Sequence, residues 1–435
     1  MEWEDAGLTT PRWASAGPEE LERALAVADA VLYEGYLLYP YRHTSPKNKV
    51  RWQFGVLVPP AWARAQGLED RGVAGSAESW FQCTECLVEC GETVRVRLRF
   101  LQLQRRSVQE RLPDGGFRAV DWLRRGDRAE VGFDEAVPHE FDVDAPLDDD
   151  TRRFGLAVAG GEDVEPWVDQ DGTPVGRIVR RRWPLSISVT VTSAATGTPF
   201  PTRRLQIRVE NTMLGVAPDA PREDVLRRSL LATHSLLGVT GGRFISLLDP
   251  PEWAAAEARA CRNVHTFPVL AGSFVLSSPI ILYDHPRVAP ESPGDLYDAT
   301  EIDEILTLRT LTLAEAERRE ARATDQRAGA ILDRVGSMPP EVLSRLHGTI
   351  RDLRPEHTAT TITTGTRVRL RPRRRGTDAH DLFLAGRTAR VEQVLEDVDG
   401  TTFLAVAIDD DPGSDLHQWY GRLRHYRRDE VEPLP

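Results

Sequence analysis

Cysteine, histidine and carboxylate spacing gives the chain its first chemical possibilities. Cys83-Thr84-Glu85-Cys86-Leu87-Val88-Glu89-Cys90 and, further on, Cys261-Arg262-Asn263-Val264-His265 contain the residue types of a zinc or iron–sulfur ligand set. The local pattern opposes that use. The first three cysteines fall on a stretch that reads as a strand, where alternation sends Cys83 and Cys86 to opposite faces. It also sets Cys86 and Cys90 roughly 13 Å apart at about 3.3 Å per residue. Neither Gly nor Pro stands between them to make a metal knuckle. Buried thiols are the favoured reading, with Cys83, Cys86, Cys90, Cys261 and His265 kept as metal-ligand candidates.

A second constellation is acidic: Asp284, His285, Glu291, Asp295, Asp298, Glu301, Asp303 and Glu304. Carboxylates near a histidine can hold a divalent metal or share acid–base work. The competing reading is structural, because Asp298-Ala299-Thr300-Glu301 matches a helix cap with a glutamate three residues on, and Asp303 and Glu304 suit the first turn. His234 and Ser235 lie in an apolar run read as helical from Val225 to Leu237, without the glycines of a nucleophile elbow. The chain has no Walker loop, dinucleotide glycine fingerprint or HExxH motif.

The third constellation is an aromatic and cationic island. The only two lysines are Lys47 and Lys49, the other 53 basic residues being arginine. Half of the eight tyrosines, Tyr33, Tyr36, Tyr39 and Tyr41, precede them, with Arg42 and His43, and Arg51, Trp52 and Phe54 follow. Rigid aromatics beside cations suit a protein contact. Tyr36, Tyr39, Tyr41, Arg42, Lys47, Lys49, Arg51 and Trp52 are therefore the expected partner-binding residues. A hairpin tip with solvated lysines is the plainer reading of the same stretch.

The elements that must position these groups follow from pattern. The chain has 435 residues, 40% of them hydrophobic, which is ample for packed cores in two or three domains. A net charge of −12 sets the overall field against nucleic acid and anionic membrane. The reading expects no membrane span, no signal peptide on the acidic start Met1-Glu2-Trp3-Glu4-Asp5, and a cytoplasmic location. Residues 1–17 read as a flexible lead-in, and Pro18 opens a helix with Glu19 and Glu20 in its first turn. Val31 to Tyr39 reads as a strand. Residues 79–89 and 94–104 form an expected hairpin around Gly91. In its second strand Val94, Val96, Leu98 and Phe100 alternate with Arg95, Arg97 and Arg99, and the phase flips at Leu101. A β-bulge near Phe100-Leu101 would restore the buried face. Residues 127–143 hold a less regular strand, and 184–192 and 205–209 alternate cleanly. Val269–Leu276 and Ile280–Tyr283 read as buried. Charged helices are expected at about 312–335 and 339–353. Residues 358–364 read as a threonine-rich linker before a self-contained segment of short strands, 365–435.

The run from Val31 to Arg42, together with Lys47-Asn48, Arg51-Trp52, Phe54-Gly55 and the Asp298–Leu306 phrase, resembles an uncharacterised bacterial family found near actinobacterial-type nickel–iron hydrogenase genes. The resemblance implies a role in assembling or partnering a hydrogenase. The last segment is also similar to the small β-barrel chaperones of hydrogenase maturation, but it lacks their N-terminal cysteine; the terminal barrel of nitrile hydratase small-barrel subunits fits it equally well.

The expectation is a β-rich α+β protein. Residues 18–220 form an antiparallel β domain with an N-terminal helix, 221–357 an α/β part with a helical extension, and 365–435 an SH3-like small barrel. The expected role is a non-catalytic accessory or assembly factor that binds a protein, with a hydrogenase subunit as the implied partner and no cofactor. The alternative is a metal-dependent enzyme built on the 284–304 cluster.

Overall fold

The computed structural model describes residues 17–49, 51–52, 54–68, 78–125, 128–169, 171–288, 303–337, 364–370, 386–396, 402–409, 424–427 and 430–434. They fall into two compact units, one within Met1–Gly348 and one within Thr349–Pro435. In the first unit, the helices are α1 (Pro18–Tyr33), α2 (Pro46–Lys49), α3 (Pro60–Ala65), α4 (Arg222–Leu226), α5 (Ala255–Ala260), α6 (Asp303–Leu311), α7 (Glu315–Thr324) and α8 (Gln326–Gly336). Its strands are β1 (Phe81–Glu89), β2 (Thr93–Arg111), β3 (Phe117–Val120), β4 (Trp122–Arg125), β5 (Arg128–Val131), β6 (Phe133–Pro146), β7 (Arg152–Val158), β8 (Gly161–Val168), β9 (Pro174–Arg182), β10 (Leu185–Ala195), β11 (Thr202–Asn211), β12 (Leu230–Thr240), β13 (Arg243–Ile245), β14 (Phe267–Ala271) and β15 (Phe274–Ser278). No helix among the described residues is long and apolar enough to cross a membrane.

Two antiparallel sheets face each other. One runs β13-β1-β11-β10-β7; the other runs β14-β15-β12-β2-β9-β8, with β6 and β3 also paired to β2. Cys86, Val88, Ile187, Val189, Leu205, Ile207 and Val209 from the first sheet share one core with Val94, Val96, Leu98, Phe100, Leu237 and Val275 from the second. The expected hairpin of 79–89 with 94–104 does not form, because β1 and β2 belong to different sheets. Both strands turn an apolar face inward, and alternation alone cannot say whether two such faces lie side by side or opposite each other. The crossing is tight at Gly91, where a Cβ would lie 2.6 Å from Leu147 and 2.8 Å from Val239 and Val88.

Strand β2, 19 residues long, explains the phase flip without a bulge of its own. It pairs with β6 without interruption from Thr93 to Arg106. Val94, Val96, Leu98 and Phe100 face the sandwich, whereas Leu101 and Leu103 point to the other side, into a second core shared with the helices. The irregularity lies in the neighbour: β12 shifts register between Leu231 and His234. There Ala232 takes φ 51, and Ala232 and Thr233 donate to Phe54 O and Gly55 O at 3.1 and 2.9 Å. The arginines on the solvent face of β2 are matched across the strand by β6. Arg95 meets Asp144 at 2.6 Å, Arg97 meets Asp142 at 2.7 Å, and Arg99 meets Glu140 at 3.2 Å.

The helix expected over Val225–Leu237 is instead a short turn, α4, followed by β12. That strand lies between β15 and β2 and is buried along its length up to Val239. Being covered on both faces removes the polar alternation that marks a surface strand. The sandwich therefore takes in residues 230–278, which the sequence reading placed in a separate segment.

Helix α1 covers the outer face of β12, β14 and β15, packing Ala24, Val27 and Ala28 on Leu236, Val269, Phe274 and Leu276. It begins at Pro18 with Glu19 and Glu20 in its first turn, as expected. Val31 to Tyr33 are its last turn and do not start a strand. Helix α6 is the one expected to follow the 298–301 cap, and the single helix expected over 312–335 is two, α7 and α8; Asp325 caps α8, its side chain accepting from Arg327 N at 2.7 Å. The helix expected at 339–353 and the linker through residue 363 lie outside the described residues.

In the second unit, β16 (Arg367–Leu370), β17 (Thr388–Glu396), β18 (Thr402–Ile408), β19 (Arg424–Arg427) and β20 (Val431–Pro433) form one antiparallel sheet in the order β19-β18-β17-β16-β20. Val368, Leu370, Val391, Leu404, Val406 and Tyr426 are among the residues of its core.

Candidate functional site

The aromatic island is turned inward. Tyr36 and Tyr41 are 0% exposed, Arg51 4% and Trp52 7%, so these four expected contact residues offer no surface to a partner. Arg51 donates to Asn48 O at 3.1 Å, Tyr36 O at 3.0 Å and Asp134 O at 2.7 Å. Its guanidinium lies 3.9 Å from the Phe133 ring centre and 4.9 Å from that of Trp52. Burial pulls its pKa below the ordinary arginine value.

What the island recognises is the chain's own helices. The Tyr36 hydroxyl donates to Asp325 Oδ2 at 2.8 Å; burial first, then the Asp325 charge, raises its pKa well above the usual value. Arg42 pairs with Glu317 at 3.1 Å and His43 with Glu320 at 3.1 Å. Burial lowers the His43 pKa despite that carboxylate. Thr44 gives Glu320 Oε1 two donors, its N at 3.2 Å and its Oγ1 at 2.5 Å. The Tyr39 hydroxyl donates to Arg309 O at 3.3 Å, and Arg327 donates to the Tyr33 hydroxyl at 2.8 Å. Of the lysine pair, Lys47 is exposed; the side chain of Lys49 lies outside the described residues.

The cysteines do not converge. Cys86 faces the sandwich core, while Cys83, on the opposite face as expected, is bridged through its backbone to Val264. Cys261 packs against the Leu87 and Ile245 cluster, and Cys90 is exposed in the crossing between the sheets. Burial pushes the Cys83 and Cys261 thiols up to about 11 and Cys86 higher still. A raised pKa disfavours the thiolate, the form that attacks. His265 is 6% exposed with φ 58, and both its ring nitrogens lack a partner among the described residues. Burial lowers its pKa. No group of three or more His, Cys, Asp or Glu side chains among the described residues is arranged to hold a metal ion.

Asp284 and His285 act as a fastener. Asp284 Oδ1 accepts from Leu270 N at 2.8 Å, and Oδ2 accepts from Ser246 Oγ at 2.5 Å. Ser246 Oγ in turn accepts from Leu248 N at 3.1 Å and Asp249 N at 2.8 Å. His285 N donates to Leu270 O at 2.6 Å, and its Nδ1 accepts from Gly272 N at 3.3 Å. The segment 281–285 is thereby tied to the β14–β15 hairpin, with Leu282 packed inward against the α1 core. Glu291, Asp295, Asp298 and Glu301 lie outside the described residues, as do the side chains of Asp303 and Glu304.

The fastened segment displays what the sequence reading had buried. Ile281 is 70% exposed and Tyr283 83%. Leu248, two residues beyond the serine bonded to Asp284, and Val288 are also exposed. An unbroken apolar run, Ile280-Ile281-Leu282-Tyr283, carries no alternation to signal this; the only hint was the polar pair that follows it. No family model, curated protein or solved structure matches this chain.

Proposed function

We propose that this protein works by binding another protein, as an accessory or assembly factor, and that Ile281 and Tyr283 make the contact. The observation that carries the reading is a large aliphatic and a large aromatic side chain held out on a backbone fixed by four hydrogen bonds through Asp284 and His285. Rigid aromatic anchors on an ordered backbone lose little entropy on binding. The family resemblance of the 31–55 stretch names the partner to test, a subunit of a nickel–iron hydrogenase, in the cytoplasm.

We read the second unit as an SH3-like barrel. Its strand order, a four-strand meander whose first strand also takes the last, supports that connectivity.

The test is binding of purified hydrogenase subunits to the full chain, the Ile281→Asp/Tyr283→Asp variant and a Lys47→Glu/Lys49→Glu variant. The expected result is at least a tenfold weaker complex for the first variant and little change for the second. Equal binding by wild type and the Ile281/Tyr283 variant would remove this surface from the account.

A further inference from the structure

The interior of the sandwich turns polar at one end. Beyond Cys86 and Val88, the inward positions of β1 are Thr84 and Gln82, opposite the core residues Ile207 and Val209 of β11. Across the gap, Ser277 of β15 stands opposite Ser235 of β12, which itself stands opposite the core residue Leu98. All four are at most 2% exposed.

The hydroxyls have a direction. Thr266 Oγ1 donates to Ser278 O at 3.2 Å. With the Thr266 proton on that carbonyl, Ser277 Oγ, 2.7 Å away, donates to Thr266, and Thr84 Oγ1, at 2.6 Å, donates to Ser277. This relay joins the two sheets and leaves the Thr84 oxygen free to accept. Beside it, Gln82 is 1% exposed, and neither its Oε1 nor its Nε2 has a partner among the described residues; the Oγ of Ser235 has none either. One same-face step, about 6.6 Å, separates Gln82 from Thr84, and one strand spacing, about 4.8 Å, separates Ser235 from Ser277.

We infer that this polar end of the interior is a binding site for internal water, at least one molecule held between Gln82, Thr84 and Ser235. A water there donates to Thr84 Oγ1 and Gln82 Oε1 and accepts from Gln82 Nε2 or the Ser235 hydroxyl, which gives it the three or so partners that a buried water needs. It extends the Thr84–Ser277–Thr266 relay and satisfies groups that would otherwise be stranded in the core.

A crystal structure of the full chain at a resolution that shows ordered water tests this. The expected result is a water within hydrogen-bonding distance of Gln82 and of Thr84 or Ser235. A dry site, or a Gln82 amide bonded to protein, overturns the inference. Thermal unfolding of Gln82→Leu, Ser235→Ala and the double variant gives an independent reading. A shared water makes the two shifts in Tm non-additive, the double variant falling short of the sum. Shifts that add show that the two groups serve no common molecule.

Discussion

Residues 33–52 and 281–288 are two places where aromatic and aliphatic side chains gather beside a histidine and charges. In the first, Tyr36 and Tyr41 are sealed under α7 and α8; in the second, Ile281 and Tyr283 stand in solvent. Composition marks both stretches as sticky and says nothing about which way they face. The difference is made by residues far along the chain. Tyr36 is closed off by Asp325, 289 positions away. The 281–285 segment is held from nearer in the chain, by the β14–β15 hairpin just before it and by Ser246, 38 positions from Asp284, with Ile281 and Tyr283 left over.

The largest test of the inward region concerns His234. It follows the β12 bulge that is bonded to Phe54 and Gly55, and its Nδ1 lies 2.8 Å from Ala232 O. Burial holds its pKa down at about 3, against about 6.5 in an unfolded chain. The folded state therefore resists protonation. The stability this contributes is complete above about pH 6.5 and is lost as pH falls toward 3, on the order of 5 kcal/mol across the window. Chemical denaturation of wild type and His234→Asn as a function of pH should show stability falling more steeply below about pH 6.5 in the first than in the second.

Next comes Arg51→Met. It strips two buried carbonyls and one half-buried one of their donor, at about 1 kcal/mol each, so urea unfolding should show a loss of about 3 kcal/mol. Tyr36→Phe removes a single bond to a carboxylate and should cost about 1.5–3 kcal/mol. If either variant is as stable as wild type, the island is not the seat of the helices. The outward region should behave in the opposite way: Ile281→Asp/Tyr283→Asp should change stability by less than about 0.5 kcal/mol while weakening partner binding.

Much of the fold was legible where one face is buried and the other wet. Val94 to Phe100, Leu185 to Val191 and Leu205 to Val209 announce their strands through alternation, and the Pro18-Glu19-Glu20 start announces α1. The sequence was silent where both faces are covered, as in β12, and where strands of similar pattern choose their partners, as in β1 and β2. The candidate site was read least well. Asp284 and His285 have the side chains of a chemical site, yet they bind backbone and one serine hydroxyl, and the apolar residues they hold in place look like core.

The most direct measurement is the labelling rate of individual tyrosines in the folded protein, by nitration or iodination and peptide mass spectrometry. Tyr283 should react at the rate of a free tyrosine, and Tyr36 and Tyr41 should stay unmodified until denaturant unfolds the chain. Labelling of Tyr36 or Tyr41 as fast as Tyr283 under native conditions, or protection of Tyr283, would contradict the account.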